Sequence, residues 1–259
     1  MNHINGRKFH SIEGVAAVCT HDLENYLKAK EVSPVIVAHN SDGCILDHPA
    51  RDCDFHFDAE KIPQHVKRIY CQNCDVDHPK LTPIPIGLEN EHWDERKMPM
   101  LQNAIKKNWQ KSSLCLICHE TSTNPGEREE LYEMFEGENG ESNASWMTIR
   151  RGKNGDSFEK YINQIAQHRF MVCPEGNGLS THRFWESLYV GTIPIVKKRV
   201  FTEAFSKLFP MVIVSEWSQL SYQFLEKEMV RLCGMEYSRF LDFSWWKTLI
   251  QKGHPLDNS

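Results

Sequence analysis

The sequence has no apolar run long enough to cross a bilayer, which excludes a transmembrane helix. Its first residues, MNHINGRKFH, lack the apolar core of a signal peptide. There is no repeat and no low-complexity tract, so solenoids and linker-like chains are excluded. There is no basic excess either. The 30 Lys and Arg stand against 35 Asp and Glu, a net charge of −5, which leaves no footprint for nucleic acid. A local basic pocket for a small anion is still allowed. The cysteines number nine, an odd count in a chain that is not small, so a disulfide scaffold is not expected and a reducing compartment suits them better. These absences imply a soluble, cytoplasmic protein. What is present is 259 residues, 40% hydrophobic and 25% charged. That is enough apolar material for one large domain or two small ones.

Two Cys-x-x-Cys pairs raise a zinc site: Cys71 with Cys74, and Cys115 with Cys118 followed by His119. Cys74 and Cys115 stand too far apart for the usual zinc-ribbon gap. The second pair also lies in SSLCLICHE, a run of strand type. Three residues apart at period two, its cysteines would point to opposite faces. Structural thiols are the better reading, and no metal site is expected.

The elements alternate along the chain. Residues 14–20, 33–40 and 66–73 read as strands, with a helix over HDLENYLKAK after the first. LTPIPIG (residues 81–87) is a short extended segment whose two prolines forbid a central strand. A second series opens at SLCLICH (residues 113–119), with a turn at 123–126 and a helix over 127–135. HRFMVCPEGNG (residues 168–178) is a strand running into a glycine turn. LSTHRFWESLYVG is a helix stopped by Gly191. TIPIVKK and PMVIVS are strands, and the last forty residues read as helical. Strands separated by helices imply α/β architecture with parallel sheets. The two series suggest two Rossmann-like halves, split near residues 92–110, with chemistry in the cleft beyond the strand carboxyl ends.

The most informative segment is FMVCPEGNGLSTHRFWESLYVGTIPIV (residues 170–196). A buried strand delivers the chain to Pro174-Glu175-Gly176-Asn177-Gly178, where glycine allows tight turns and close backbone approach. A helix then begins near Ser180, and its free amides and positive dipole end form an anion site. Arg183 lies in the first turn, placed to fork onto phosphate oxygens. Glu186 could accept hydrogen bonds from ribose hydroxyls. The arrangement fits a nucleotide diphosphate, and equally an ordinary strand-to-helix connection.

This segment resembles the signature of exostosin-type glycosyltransferases (glycosyltransferase family 47). The matching residues are Ser180, Arg183, Trp185, Glu186, Leu188, Gly191, Ile193, Pro194 and Ile195. VAHNSDG (residues 37–43), QNCDVDHPKLTPIPIGLEN (residues 72–90) and TNPGER (residues 123–128) are similar to compact members of the group, such as those of bacteria and large DNA viruses including chloroviruses. In a viral setting the compartment would be the host cytoplasm. The resemblance implies a GT-B-like fold, two Rossmann-like domains with a cleft between them. Residues 1–100 would form the acceptor side. Residues 101–259 would bind the nucleotide sugar, with the last helices returning toward the first domain. It implies an inverting enzyme moving a sugar from a UDP-sugar, such as UDP-xylose or UDP-glucuronate, to a glycan hydroxyl. A GDP-sugar transferase of fucosyltransferase type and a non-catalytic nucleotide- or glycan-binding module are the alternatives.

Inverting transfer needs a base for the acceptor hydroxyl and cationic or dipolar groups for the departing diphosphate. For the donor the expected residues are Arg128, Gly176, Asn177, Gly178, Ser180, Thr181, His182, Arg183 and Glu186, with amides from Asn177 to Thr181 on the phosphates. His182 either faces the phosphates or caps the turn. Arg150 and Arg151 form a basic pair near the cleft or a surface patch. For the base, Asp42 in HNSD is the first candidate, against an Asx-type turn; His39 and Glu89 are its rivals. His78 and Lys80 hold substrate or decorate a loop. Two Asp-x-Asp triplets, Asp52–Asp54 and Asp75–Asp77, lie in the half opposite the glycine turn and are read as loop polarity, so no divalent cation or other cofactor is expected. Trp245 and Trp246 are read as packing.

Overall fold

The computed structural model describes residues 2–46, 57–90, 95–137, 139–151 and 157–256. The triplet Asp52–Asp54 therefore lies outside the described residues. Within them the protein is α/β, built on two parallel sheets. The first holds β1 (Ala16–Cys19), β2 (Val35–His39), β3 (Arg68–Cys71) and β4 (Leu81–Pro83), in that spatial order. The prolines of LTPIPIG fall on β4 or just past it, at the sheet edge, where a missing N–H leaves no ladder bond unmade.

The second sheet holds β5 (Ser113–His119), β6 (Met147–Arg151), β7 (His168–Val172), β8 (Ile193–Lys197) and β9 (Val212–Val214). Its spatial order is β6-β5-β7-β8-β9. The chain thus winds outward one way from β5 to β6, then jumps back across to β7 and winds the other way. Crossovers on opposite faces leave a crevice beyond the carboxyl ends of β5 and β7, where such sheets bind ligands. The sequential first sheet has no such reversal.

Side-chain alternation sets the layers. In β5, Cys115 and Ile117 enter one core with α4 (Pro125–Phe135) and α8 (Tyr222–Arg231). Leu116 and Cys118 enter the other, with α5 (Phe158–Gln167), α6 (His182–Tyr189) and α7 (Val200–Phe205). The two cysteines of this pair therefore sit on opposite faces and cannot share a metal ion. Cys71 and Cys74 are buried together in the core of the first sheet. Burial, with Cys74 beside it, holds the Cys71 thiol well above its ordinary pKa. Arg151 is also structural: it pairs with Glu129 and Glu136 and lies over the Tyr132 ring. His78 and Lys80 bond to their own neighbourhood, His78 Nδ1 accepting from the Lys80 amide and Lys80 Nζ donating to Pro63 O. Trp246 is fully buried against Phe205, as the packing reading requires.

The core containing α5–α7 also takes Val37 and Tyr70 from the first sheet and Trp246, Leu249 and Ile250 from α9 (Phe243–Lys252), so it is common to both halves. Tyr70 OH lies 2.7 Å from His254 O and 3.2 Å from Leu249 O. α1 (Gly6–His10) adds Phe9, edge-on to Phe243.

A buried strut crosses nearer the cleft. Asp75 Oδ1 accepts from the Val200 amide at 2.6 Å, and Oδ2 pairs with Arg199 at 3.2 Å. Arg199 forks onto Glu175, with Nε 2.7 Å from Oε1 and its terminal nitrogen 3.2 Å from Oε2. Asp75 is thus not loop decoration but a joint between the halves. Asp75→Asn sets an amide N–H against the guanidinium and removes one ion pair. We expect it to cost about 1–3 kcal/mol, read as a lower midpoint of urea unfolding; an unchanged midpoint would show that the strut contributes nothing.

Candidate functional site

The loops beyond β5 and β7 meet at the crevice, and Arg128 on α4 joins them. Its side chain is buried. Nε donates to Glu175 O at 2.8 Å, and one terminal nitrogen donates to Glu120 O at 2.6 Å and to Thr123 Oγ1. Asn124 Nδ2 reinforces the junction at Glu175 O, 3.3 Å away. Arg128 is therefore a brace, not a solvated helix residue. Its other terminal nitrogen lies 3.0 Å from where a Cβ on Gly176 would stand, so a side chain there would have to displace the guanidinium slightly. Gly176 N closes the turn on Gly178 O at 3.0 Å.

A cavity of about 280 Å³ opens above this junction. Of the residues expected to hold a donor, Arg128, Gly176, Asn177, Gly178, Ser180, Thr181, His182, Arg183 and Glu186 all line it. Asp42 and Glu89 line it from the amino-terminal half; His39 does not. Arg183 lies among Tyr161, Cys173, Glu186 and Cys118, and its Nε is buried with no hydrogen-bond partner among the described residues. Thr181 Oγ1, at the N-cap of α6, is buried and equally unpartnered. A buried polar atom left unmatched costs free energy of the order of 1–3 kcal/mol. Two such atoms beside a helix N-terminus, one of them on a guanidinium, describe a site that an anion would complete. Glu186 accepts from Tyr161 OH at 2.9 Å.

One expectation needs correction. The Ser180 amide is not free for a phosphate, because it donates to Asn73 Oδ1 at 2.9 Å. That bond stitches the glycine turn to the end of β3. Asn73 sits at φ 48°, in the left-handed region that asparagine tolerates, and a Cβ on Gly178 would come within 2.5 Å of its Nδ2. Sequence reasoning passed over Asn73. The available signal was a lone asparagine directly after a buried strand, at the carboxyl edge.

A second cavity, about 250 Å³, lies on the amino-terminal side. Its walls are Asn40, Gln72, Asn73 and Asn90, with Ser41 and His39. Asp42, Ile86, Ser180 and His182 border both cavities, so these four form the seam. None of the four amide residues was anticipated as part of a site. Asn40, at φ 63°, accepts from Asn90 Nδ2 at 2.8 Å and donates its backbone N–H to Gln72 Oε1 at the same distance.

The three candidate bases fare differently. His39 is excluded by its bonds: Nε2 donates to Pro85 O at 2.8 Å, and Nδ1 accepts from the Asn40 amide at 2.6 Å. Burial, aided by His10 and His182, pushes its pKa down to about 3, so it stays a neutral wall stacked on Phe9. Glu89 is ion-paired with Lys97 and lines the first cavity but not the second. Asp42 stands at the seam, its Oδ2 accepting from Asn177 Nδ2 at 3.2 Å. His182 Nδ1–H donates to Gly87 O at 2.8 Å. The position must be glycine, since Gly87 sits at φ 71° and a Cβ there would meet Ile4 O at 2.4 Å.

His119, at the end of β5, is a further buried neutral imidazole. Its Nε2–H donates to Arg128 O at 3.1 Å, while Nδ1 has no partner among the described residues. Burial, with Arg183, Arg128 and Arg151 nearby, pushes its pKa down to about 3. In the unfolded chain both histidines bind a proton near pH 6.5, and in the folded protein near pH 3. The unfolded state therefore binds more protons between these limits, and their contribution, complete above pH 6.5, drains away as pH falls. By pH 5 the loss is about 2 kcal/mol per histidine. In imidazole NMR spectra the ring signals of His39 and His119 should not move between pH 8 and 5; a titration midpoint in that range would refute the buried neutral assignment.

Among curated proteins, none matches this chain. Residues 95–252, which carry β5 to β9 and every element of the anion-facing wall, match the family described as RXYLT1 C-terminal domain, a glycosyltransferase-related family, and the chain belongs to that family.

Proposed function

We propose that the protein is an inverting, exostosin-like glycosyltransferase of GT-B type that uses a UDP-sugar. The carboxyl-terminal half, from about residue 101, takes the donor. The amino-terminal half takes the acceptor. The reading is carried by the unpartnered Arg183 Nε beside Thr181 Oγ1, at the reversal point of a doubly wound sheet. Two adjoining cavities with a common seam suit a reaction in which two substrates meet. In this reading the diphosphate lies on Arg183, Thr181 and the first turn of α6, and the transferred sugar lies toward Glu186, Glu89 and Lys97. Xylose and glucuronate are the donor sugars we favour.

The leaving diphosphate gains charge as the glycosidic bond breaks. A guanidinium and a helix N-terminus already in place stabilise that charge without reorganising. A divalent cation is not required in this scheme, and the geometry supports that view. Asp75, the acidic residue of the described Asp-x-Asp triplet nearest the cleft, spends its carboxylate on Arg199 and the Val200 amide. Turnover is expected to survive EDTA.

UDP should raise the melting temperature, by the equivalent of about 2.7 kcal/mol at a hundredfold excess over Kd. GDP and CMP should do so far less, and Arg183→Ala should remove most of the shift. Indifference of the wild-type protein to all three nucleotides would end this reading.

A further inference from the structure

We propose that His182 is the general base, taking the proton of a sugar or polyol hydroxyl presented from the amide-lined cavity. The inference rests on the glycosyltransferase reading and goes beyond it by assigning the proton transfer. Transfer with inversion needs a base at the place where acceptor and donor meet. Among the described residues, the titratable side chains that border both cavities are Asp42 and His182. Their surroundings separate them.

The bond to Gly87 fixes the imidazole of His182. A carbonyl can only accept, so Nδ1 carries the hydrogen and the lone pair of neutral His182 is on Nε2. Among the described residues nothing bonds to Nε2. The segment that presents this carbonyl is anchored next door, where Leu88 N donates to Ile4 O at 2.8 Å. A ring held at one nitrogen by a fixed acceptor, with the other nitrogen bare at the reaction site, is the arrangement that orients a catalytic imidazole. Asp42 and His182 are both exposed, but the Asp42 carboxylate already accepts from Asn177 through Oδ2.

Position supports the same assignment. His182 and Arg183 are consecutive on α6, and their side chains reach opposite ways. His182 reaches Gly87 in the amino-terminal half, and Arg183 lies among Tyr161, Glu186 and Cys173 in the other. A sugar between them would have the base toward its acceptor and the guanidinium toward its leaving group. The second cavity supplies hydroxyl recognition. Asn40, Gln72, Asn73 and Asn90 each already bond within the wall, and the second hydrogen or lone pair of each amide is what remains for a hydroxyl-rich substrate, with no cation beside them.

The step balances as follows. The acceptor O–H gives its proton to Nε2 as the oxygen lone pair forms the bond to the anomeric carbon. The bond from that carbon to the diphosphate oxygen breaks, and its electron pair leaves with the diphosphate. The imidazolium afterwards returns its proton to water.

The test uses the full chain, UDP as binding probe, and UDP release from UDP-xylose, UDP-glucuronate, UDP-galactose and UDP-N-acetylglucosamine with mixed monosaccharides and alditols as acceptors. His182→Asn places an amide N–H where Nδ1–H stood, so the Gly87 tether survives without the base. We expect UDP to stabilise this variant as it does the wild type, while UDP release falls about 10²–10⁴-fold. Added imidazole should restore part of the release in His182→Ala. Release within tenfold of wild type in His182→Asn overturns the assignment. So does loss of UDP binding in that variant, or a wild-type protein that binds UDP and releases none. Loss of release in Asp42→Asn with retention in His182→Asn transfers the role to Asp42. A wild-type protein that UDP does not stabilise overturns the donor site itself, and this assignment with it.

Discussion

The bond from the Ser180 amide to Asn73 Oδ1 is the constraint on which the site depends. Reversal of winding at β5 and β7 provides a crevice, but a crevice alone binds nothing in particular. It becomes a site because the glycine turn is pulled toward the first sheet and held there. Gly178 is what permits the approach, since any Cβ would occupy the space of the Asn73 amide. Once the turn is held, α6 must start at the seam. Thr181, His182 and Arg183 then fall on three different tasks within one turn of helix. Arg128 does the corresponding work from below by tying the two strand-end loops together through Glu175 O.

Much of this was legible in the residues. The apolar runs of β2, β5, β7 and β8 announced parallel strands, and the glycine turn before LSTHRFWE announced a segment that lines the larger cavity. Other elements were not legible, for identifiable reasons. β6 ends in Arg150 and Arg151, and its exposed charges belong to a sheet edge, so it read as a basic pair or surface patch rather than as a strand. α5 follows a run of polar residues and sets Tyr161, Ile162 and Ile165 among polar side chains, directly before a strand that claimed attention. α3 (Lys97–Lys106) carries Pro99 in its first turn, which is permitted there but reads as a break. The amide wall was hidden for a different cause. Asn40, Gln72, Asn73 and Asn90 come from three separate strand ends, and only folding makes them neighbours.

The two walls of the cleft divide the chemistry by type of group. The carboxyl-terminal wall carries Arg128, Arg183, Glu186 and an open helix end. The amino-terminal wall carries amides, a serine and an imidazole whose nitrogens are both engaged. Charge is therefore concentrated where a reaction would develop charge, and neutral hydrogen-bonding groups where hydroxyls must be told apart. Burying His39 in its neutral form belongs to this division. In the proposed scheme a cation at that place would compete with Arg183 for the diphosphate. Holding it neutral by desolvation and two fixed hydrogen bonds removes the competition.

The same division explains why the seam is stitched rather than hinged. Asn73–Ser180, Gly87–His182, Asp42–Asn177 and Asp75–Arg199 all cross between the halves. Each contributes only about 1 kcal/mol net, but separating the halves would break them together and expose the common core beneath. A cleft so held has already met the cost of orienting its groups before substrates arrive, so binding need not supply it. The glycine at 178 is the steric condition for that economy: it lets the turn come close enough to Asn73 for the Ser180 stitch, and a single added carbon there would press on the Asn73 amide across the seam.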